Sequence, residues 1–518
     1  MNEIKCETVI VGGGSTGSVL AARLSEDRNH SVMLVEAGPD YGPAAGGQWP
    51  PELLALDARA GFVVRNEWGF WNEERPGGGA YHIACGKVIG GGSSINAAGW
   101  MWPKRLDFDD WAKAGGPAWG YDEMLARLQS VESDSVASGE WHGRNGPMPV
   151  ARNLDRPLMP FHQAVGDAAV SLGYPWLQDG NDPEGGIGFL RKALNTRDGK
   201  RWNAAFAYLD PARGRPNLRI LGDSLATRIL LDGRVARGVE IINRDGPARI
   251  FAERVVLSAG AYNSPAVLMR SGIGPADELR RHGIEVIAEL PGVGRNLTDH
   301  AVIPMSLVAT EAGAQTAAKL TAEGRLYLFQ SCLRFRSSRG SDSGHDIQIS
   351  LIGERAAQDG WEYLLRIEIV KPHSRGFVRL RSGSPNDAPM IDSCLVSDDK
   401  GHDAQSVVEA IKFIRKLVRT PPLDRLVAAE RWPGETTSDA ALPAFARANA
   451  YSYHHPNGTC KMGPASDPQA VVDARCGIHG IERLFVADAS IMPSVPRAAL
   501  NITCLAIGER AASLIQQS

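Results

Sequence analysis

Cys6-Glu7-Thr8-Val9-Ile10-Val11-Gly12-Gly13-Gly14-Ser15-Thr16-Gly17-Ser18 is the stretch whose reading decides the fold. Residues 6–12 form a short apolar run, the pattern of a buried strand. Gly12, Gly14 and Gly17 follow at fixed spacing, residues 18–25 are apolar at helical spacing, and a second apolar run, Val32–Val35, ends in Glu36. The order is strand, glycine turn, helix, strand, acid. Gly12 permits the tight turn, Gly14 lets backbone approach a pyrophosphate, and Gly17 lets the helix pack on the strand. The helix N-terminus offers unbonded N–H groups and partial positive charge to phosphates. Glu36 stands 24 residues after Gly12, where a carboxylate meets ribose hydroxyls. The pattern predicts an adenine dinucleotide. A glycine turn in some other α/β unit leaves Glu36 unexplained.

A chain of 518 residues exceeds one core and calls for several domains. Its 43% hydrophobic and 22% charged content is that of a globular protein. A net charge of −3 argues against a nucleic-acid partner. No run approaches the ~18 apolar residues of a membrane span. The first strand starts so near residue 1 that no signal peptide is expected before it. The seven cysteines are scattered without a CxxC pair, so neither a zinc site nor a disulfide framework is expected. The reading is a reduced, cytoplasmic protein. Oligomeric state is not legible.

The second informative stretch is Gly86-Lys87-Val88-Ile89-Gly90-Gly91-Gly92-Ser93-Ser94-Ile95-Asn96. Three successive glycines bring bare backbone close to a large flat group, and two serines and an asparagine supply side-chain hydrogen bonds. Trp68, Phe70 and Trp71 are expected to pack near this part. Near the other end, Tyr453-His454-His455-Pro456-Asn457-Gly458-Thr459 holds the only adjacent histidines. No further ligand stands at a metal-site spacing, so no metal is expected. A lone histidine is usually a satisfied core or surface group, but the following Pro-Asn-Gly-Thr gives this pair a rigid presentation.

With these stretches in hand the chain resembles the glucose–methanol–choline (GMC) flavoprotein oxidoreductases. Residues 86–96 match the family's first signature. Gly260-Ala261-Tyr262-Asn263-Ser264-Pro265 through Ser271-Gly272-Ile273-Gly274 match its second. Pro291-Gly292-Val293-Gly294-Arg295-Asn296-Leu297-Thr298-Asp299-His300 and the C-terminal block match two further elements, so the likeness spans essentially the whole chain.

The resemblance implies an α/β, Rossmann-like FAD-binding domain interrupted by a substrate domain on an antiparallel or mixed sheet. Residues 1–150, 196–300 and 451–518 would form the first, and 151–195 and 301–450 the second. It implies non-covalent FAD, because Ser94 and Ile95 precede Asn96 where some members carry a flavin-linking histidine. FAD contacts are implied from Gly12, Gly14, Thr16, Gly17, Glu36 and Ala37, and from Val88, Gly92, Ser93, Asn96 and Ala97. Ala226 would present backbone to adenine, Asp488 and Ala489 would meet the ribityl and phosphate region, and Asn501 and Ile502 would begin a helix aimed at the flavin.

The implied reaction is oxidation of a small alcohol, a primary one on an aromatic or furan-like ring, with oxygen or another acceptor taking the electrons. The proton needs a base with pKa near working pH, which histidine supplies. His455 aligns with the family's catalytic histidine and Asn501 with its second active-site position. An amide is no base, so His455 abstracts and Asn501 orients. His454 is a candidate substrate contact. In residues 363–369, period-two alternation puts Leu364, Arg366 and Glu368 on one face and Tyr363, Leu365, Ile367 and Ile369 on the other. Arg366 then either pairs with an acid such as Glu368 at the surface or offers a two-pronged donor to a carboxylate or other acceptor in the pocket. The competing functions are a hydroxynitrile lyase on the same architecture, a choline-type or polyol dehydrogenase, and an NAD(P)-dependent Rossmann enzyme, which residues 86–96 and His455 disfavour.

Overall fold

The computed structural model describes residues 2–56, 66–74, 79–154, 156–325, 329–340 and 342–517. Two seven-stranded sheets organise it. The first is built around the opening run, which extends to Asn2–Val11. Val32–Val35 and then Leu218–Leu221 lie on one side of it and Gly246–Leu257 on the other, all parallel. Val9, Ile10 and all of Val32–Val35 are buried, as parallel strands covered on both faces must be.

Gly246–Leu257 carries two partners on one flank. Its first half pairs antiparallel with Val235–Asn243, and its last three residues pair parallel with Leu484–Val486. The sequence read only its apolar end, residues 254–258, as a strand. Helix Ser15–Leu24 packs against the final helix Leu500–Gln516, where Arg23 donates to both carboxylate oxygens of Glu509 at 2.8 and 2.9 Å.

The second sheet runs Val427–Trp432, Ala301–Ala309, Gly360–Ile369, Ile347–Ala357, Ser331–Phe335, Gly188–Arg191, antiparallel throughout. Tyr451–Ser452 pairs with Ala301 and Val302 at its margin, which ties the segment entering the histidine block to this sheet. Tyr363, Leu365, Ile367 and Ile369 face the apolar core shared with helices Pro160–Ser171 and His402–Leu417, as alternation predicts. The opposite face carries the paired residues Gln348 and Glu368, and Ser350 and Arg366, of which Arg366 lines the central cavity.

The pattern of residues 201–209 predicts a helix; Lys200–Arg201 instead closes a hairpin with Thr196–Arg197, and the helical stretch is Ala205–Leu209, wider than an α-helix, running into Asp210–Ala212. Of the aromatic trio, Trp68 and Phe70 line the central cavity while Trp71 is 57% exposed. All seven cysteines are free. Among the described residues no helix is long and apolar enough to cross a membrane.

Candidate active site

The glycine turn is held open by close packing. Gly12 has φ +102°, and a Cβ there would stand 2.4 Å from the Ser258 carbonyl oxygen. A Cβ on Gly17 would stand 1.9 Å from the Gly12 carbonyl oxygen, so Gly17 packs helix on turn and does not line the cavity. No side chain caps helix Ser15–Leu24, and a Cβ on Gly14 would meet nothing within 4 Å. Free amides and open space therefore coincide at this helix end, which suits a pyrophosphate.

The second glycine stretch rests on the first. Gly90 N–H donates to the Gly13 carbonyl at 2.7 Å, and a Cβ on Gly91 would lie 2.8 Å from Gly14 Cα. The serines have another use than the sequence implied. Ser93 Oγ donates to the Gly90 carbonyl at 2.6 Å and accepts from Ala204 N–H, and Ser94 Oγ donates to the Ile89 carbonyl. They brace the turn and leave backbone facing the cavity.

Glu36, at the end of its strand, accepts from Gly13 and Gly38 N–H at 2.8 Å each, and burial pushes its carboxyl up to about 7. From here a cavity of about 510 Å³ runs to the histidine block. Gly12, Gly14, Thr16, Glu36, Ala37, Gly92, Ser93, Asn96, Ala97, Ala226, Asp488, Ala489, Asn501, His454, His455 and Arg366 all line it. Val88 and Ile502 do not: both side chains are buried in the first sheet's core. Asp488 lines the wall, but Gly260 N–H, the Ser264 hydroxyl and Ser490 N–H occupy its carboxylate, so it shapes the wall through those groups.

At the far end His455 and His300 meet Nδ1 to Nδ1 at 2.9 Å, and His300 Nε2 lies 3.0 Å from the Pro496 carbonyl oxygen. The His455 backbone N–H donates to Asp299 at 3.0 Å, and the other Asp299 oxygen accepts from the Ser452 hydroxyl. Burial pushes Asp299 up to about 7 and His300 down to about 4. Burial, with His300 and His454 alongside, holds His455 well below the usual histidine range, so it is a neutral imidazole at physiological pH. Asn501 Oδ1 accepts from Ser15 Oγ at 3.0 Å, which leaves its buried Nδ2 without a partner among the described residues. The sequence reading quoted Asp299 and His300 within a signature but gave them no role.

The roof of this end is cationic. Arg366 lines the cavity, with its guanidinium 5.5 Å from the centre of the Phe329 ring, and makes no ion pair among the described residues. Glu368, its expected surface partner, is buried and accepts from Gln348 at 2.5 Å. Lys192, also lining the cavity, donates to Ser350 Oγ at 2.8 Å.

A second titratable cluster lies elsewhere. His142 bonds Glu132 at 2.7 Å and Asp179 at 2.6 Å, the Trp100 and Trp102 indoles donate to Glu132, and Arg152 bonds Asp134 and Asp179. Burial opposes a charge on His142, but its bonds to Asp179 and Glu132 prevail and raise it to about 9. Its acceptors are spent on hydrogen bonds, which makes it a structural ion network.

An uncapped helix end facing open space, an acid at the second strand, and a histidine–asparagine pair in one cavity of ligand size define a flavin-dependent alcohol oxidoreductase. The chain belongs to the GMC oxidoreductase family, whose N-terminal model matches residues 6–302 and whose C-terminal model matches residues 372–508. It uses FAD and oxidises alcohols. It is 35% identical to an oxygen-dependent choline dehydrogenase of Brucella anthropi, covering 99% of this chain and 96% of that one. It superposes on a pyridoxine 4-oxidase from Mesorbium loti with a TM-score of 0.89 at 35% identity, covering 99% of both chains. A formate oxidase of Aspergillus oryzae aligns with a TM-score of 0.86 at 25% identity, over 100% of this chain and 99% of that one.

Proposed function

We propose that the enzyme oxidises a primary alcohol borne on a small aromatic or furan-like ring to the aldehyde, with His455 as base and Asn501 holding the hydroxyl. The observation that carries this reading is that both side chains line the cavity that also holds the glycine cradle. FAD, bound there, supplies a two-electron acceptor that takes a hydride from the carbinol carbon. His455 receives the hydroxyl proton, and the amide N–H of Asn501 keeps the oxygen in place. Gly12, Gly14 and the start of helix Ser15–Leu24 would hold the pyrophosphate, Glu36 a ribose, and Ala226 the adenine.

Arg366 extends the reading to substrates with a carboxylate or an acceptor on the ring, since a guanidinium offers two parallel donors. The likeness to a pyridoxine 4-oxidase supports a ring-borne alcohol. Oxygen or another acceptor reoxidises the flavin in this reading, and the cytoplasm is the proposed location. The test is a panel of alcohols, including pyridoxine, choline and furan and benzyl alcohols, assayed with oxygen and with a dye acceptor. Anaerobic mixing with a ring-borne alcohol should bleach the flavin. A flavin that stays yellow with every alcohol would point to lyase chemistry instead.

A further inference from the structure

We propose that His300 is a positioning residue that fixes which ring nitrogen of His455 meets the alcohol. The inference rests on His455 being the base. It follows from the donors and acceptors around the two rings and from the burial of His300. A carbonyl oxygen only accepts, so the 3.0 Å contact between His300 Nε2 and the Pro496 carbonyl requires the proton to sit on Nε2. A neutral imidazole carries one N–H, and burial keeps His300 neutral. Its Nδ1 is therefore a lone pair. His455 Nδ1, 2.9 Å away, must be the donor. That places the single N–H of neutral His455 on Nδ1 and leaves Nε2 bare, as a base requires.

The opposite tautomer of His300 would set two lone pairs against each other at the Pro496 carbonyl, inside the protein. The carbonyl thus orients His300, and His300 orients His455. Asp299, the preceding residue, accepts the His455 backbone N–H at 3.0 Å, so one dipeptide holds both main chain and ring. When the alcohol O–H breaks, its proton passes to Nε2 and the oxygen's electron pair forms the C=O bond. The hydride leaves carbon for the flavin. His455 is then an imidazolium, and the His300 lone pair still accepts its Nδ1–H and steadies the new charge. His300 touches neither substrate nor cofactor in this scheme.

The test uses holoenzyme labelled with ring-¹⁵N histidine at pH 7, with the His455 signals assigned by their loss in His455→Ala. The expected spectrum shows a protonated Nδ1 and a bare Nε2. A proton on Nε2 overturns the proposal without any variant at His300. Two substitutions then separate positioning from simple structure. In His300→Asn the amide oxygen takes the place of Nδ1 and can accept from His455, whereas His300→Leu offers no acceptor. At equal flavin content His300→Leu should lose about 10²-fold or more in kcat with little change in KM, as for a base in the wrong tautomer. His300→Asn should recover most of that loss. Equal impairment in both variants overturns the role of His300. If His455→Ala retains the wild-type kcat, the underlying base assignment fails, whatever the tautomer.

Discussion

The surroundings of His455 come from other parts of the chain: the His300 ring nitrogen, the Asp299 carboxylate and, along the same cavity, the Asn501 amide. His455→Ala should lower kcat by ~10²–10⁴-fold while leaving FAD content near wild type. Asn501→Ala should cost less, because the base remains. Steady-state kinetics at matched flavin content check both, and an asparagine variant slower than the histidine variant would reverse the assignment. Arg366→Leu should raise KM for a carboxylate-bearing ring alcohol by up to ~10²-fold, the loss of a charge-assisted bond of about 1.5–3 kcal/mol, and leave neutral benzyl alcohols unchanged. Equal effects on both substrates would make Arg366 structural. At this scale the sequence was legible where chemistry clusters locally. His455 stands before a proline in a turn-rich block, and Asn501 starts an apolar helix. The partnership of His455 with His300 spans 155 residues and leaves no local periodicity to read. Asp488 and Ser93 line the cavity, but the partners that occupy their side chains lie on other segments and are equally invisible to a local window.

The strand–turn–helix unit at the N-terminus is the element on which cofactor binding depends. Gly17→Ala would drive a methyl to 1.9 Å from the Gly12 carbonyl oxygen, so helix and turn must part. The expected outcome is a protein purified with little FAD and a lowered thermal midpoint, read by absorbance and melting; full flavin loading would show that the turn yields cheaply. Acid precipitation of the wild type should release all flavin into the supernatant, since Ser94 and Ile95 offer no histidyl link before Asn96. Colour in the pellet would refute that. Elements with one clean period were legible from sequence, among them Val32–Val35 and residues 363–369. Gly246–Leu257 was not, because Arg249, Glu253 and Arg254 break its apolar run where only one face is covered. The site serines were read as ligand contacts because a hydroxyl looks the same in sequence whether it braces a turn or meets a ligand.

Over the whole molecule, buried titratable groups set how stability follows pH. Burial lowers His162, His300, His345, His454 and His455 below their ordinary value of 6.5. Folded, these five bind fewer protons than unfolded, so their contribution is intact above pH 6.5 and is lost as pH falls below it. His142, raised to about 9, does the reverse: its stabilisation is intact below 6.5 and is lost as pH climbs to 9. Asp299 and Glu354, pushed up to about 7 by burial, lose stability up to that pH and partly offset the histidines on the acid side. The thermal midpoint should therefore peak near pH 6.5 and fall on both sides; a midpoint still rising at pH 9 would contradict this. The two-sheet plan was foreseen through whole-chain resemblance, whereas the union of Tyr451–Ser452 with the second sheet is a long-range pairing that no window reveals. One such pairing bears on how the protein is made. Leu484–Val486 docks on the last three residues of a strand more than 220 positions upstream, and the turn and helix beyond it bring Asp488 and Asn501 to the cavity. A chain made only as far as residue 478 holds most strands of both sheets, yet its Val255, Val256 and Leu257 still present a bare edge. Such a chain also lacks Asp488 and Asn501 from the cavity wall and is prone to pair through that open edge.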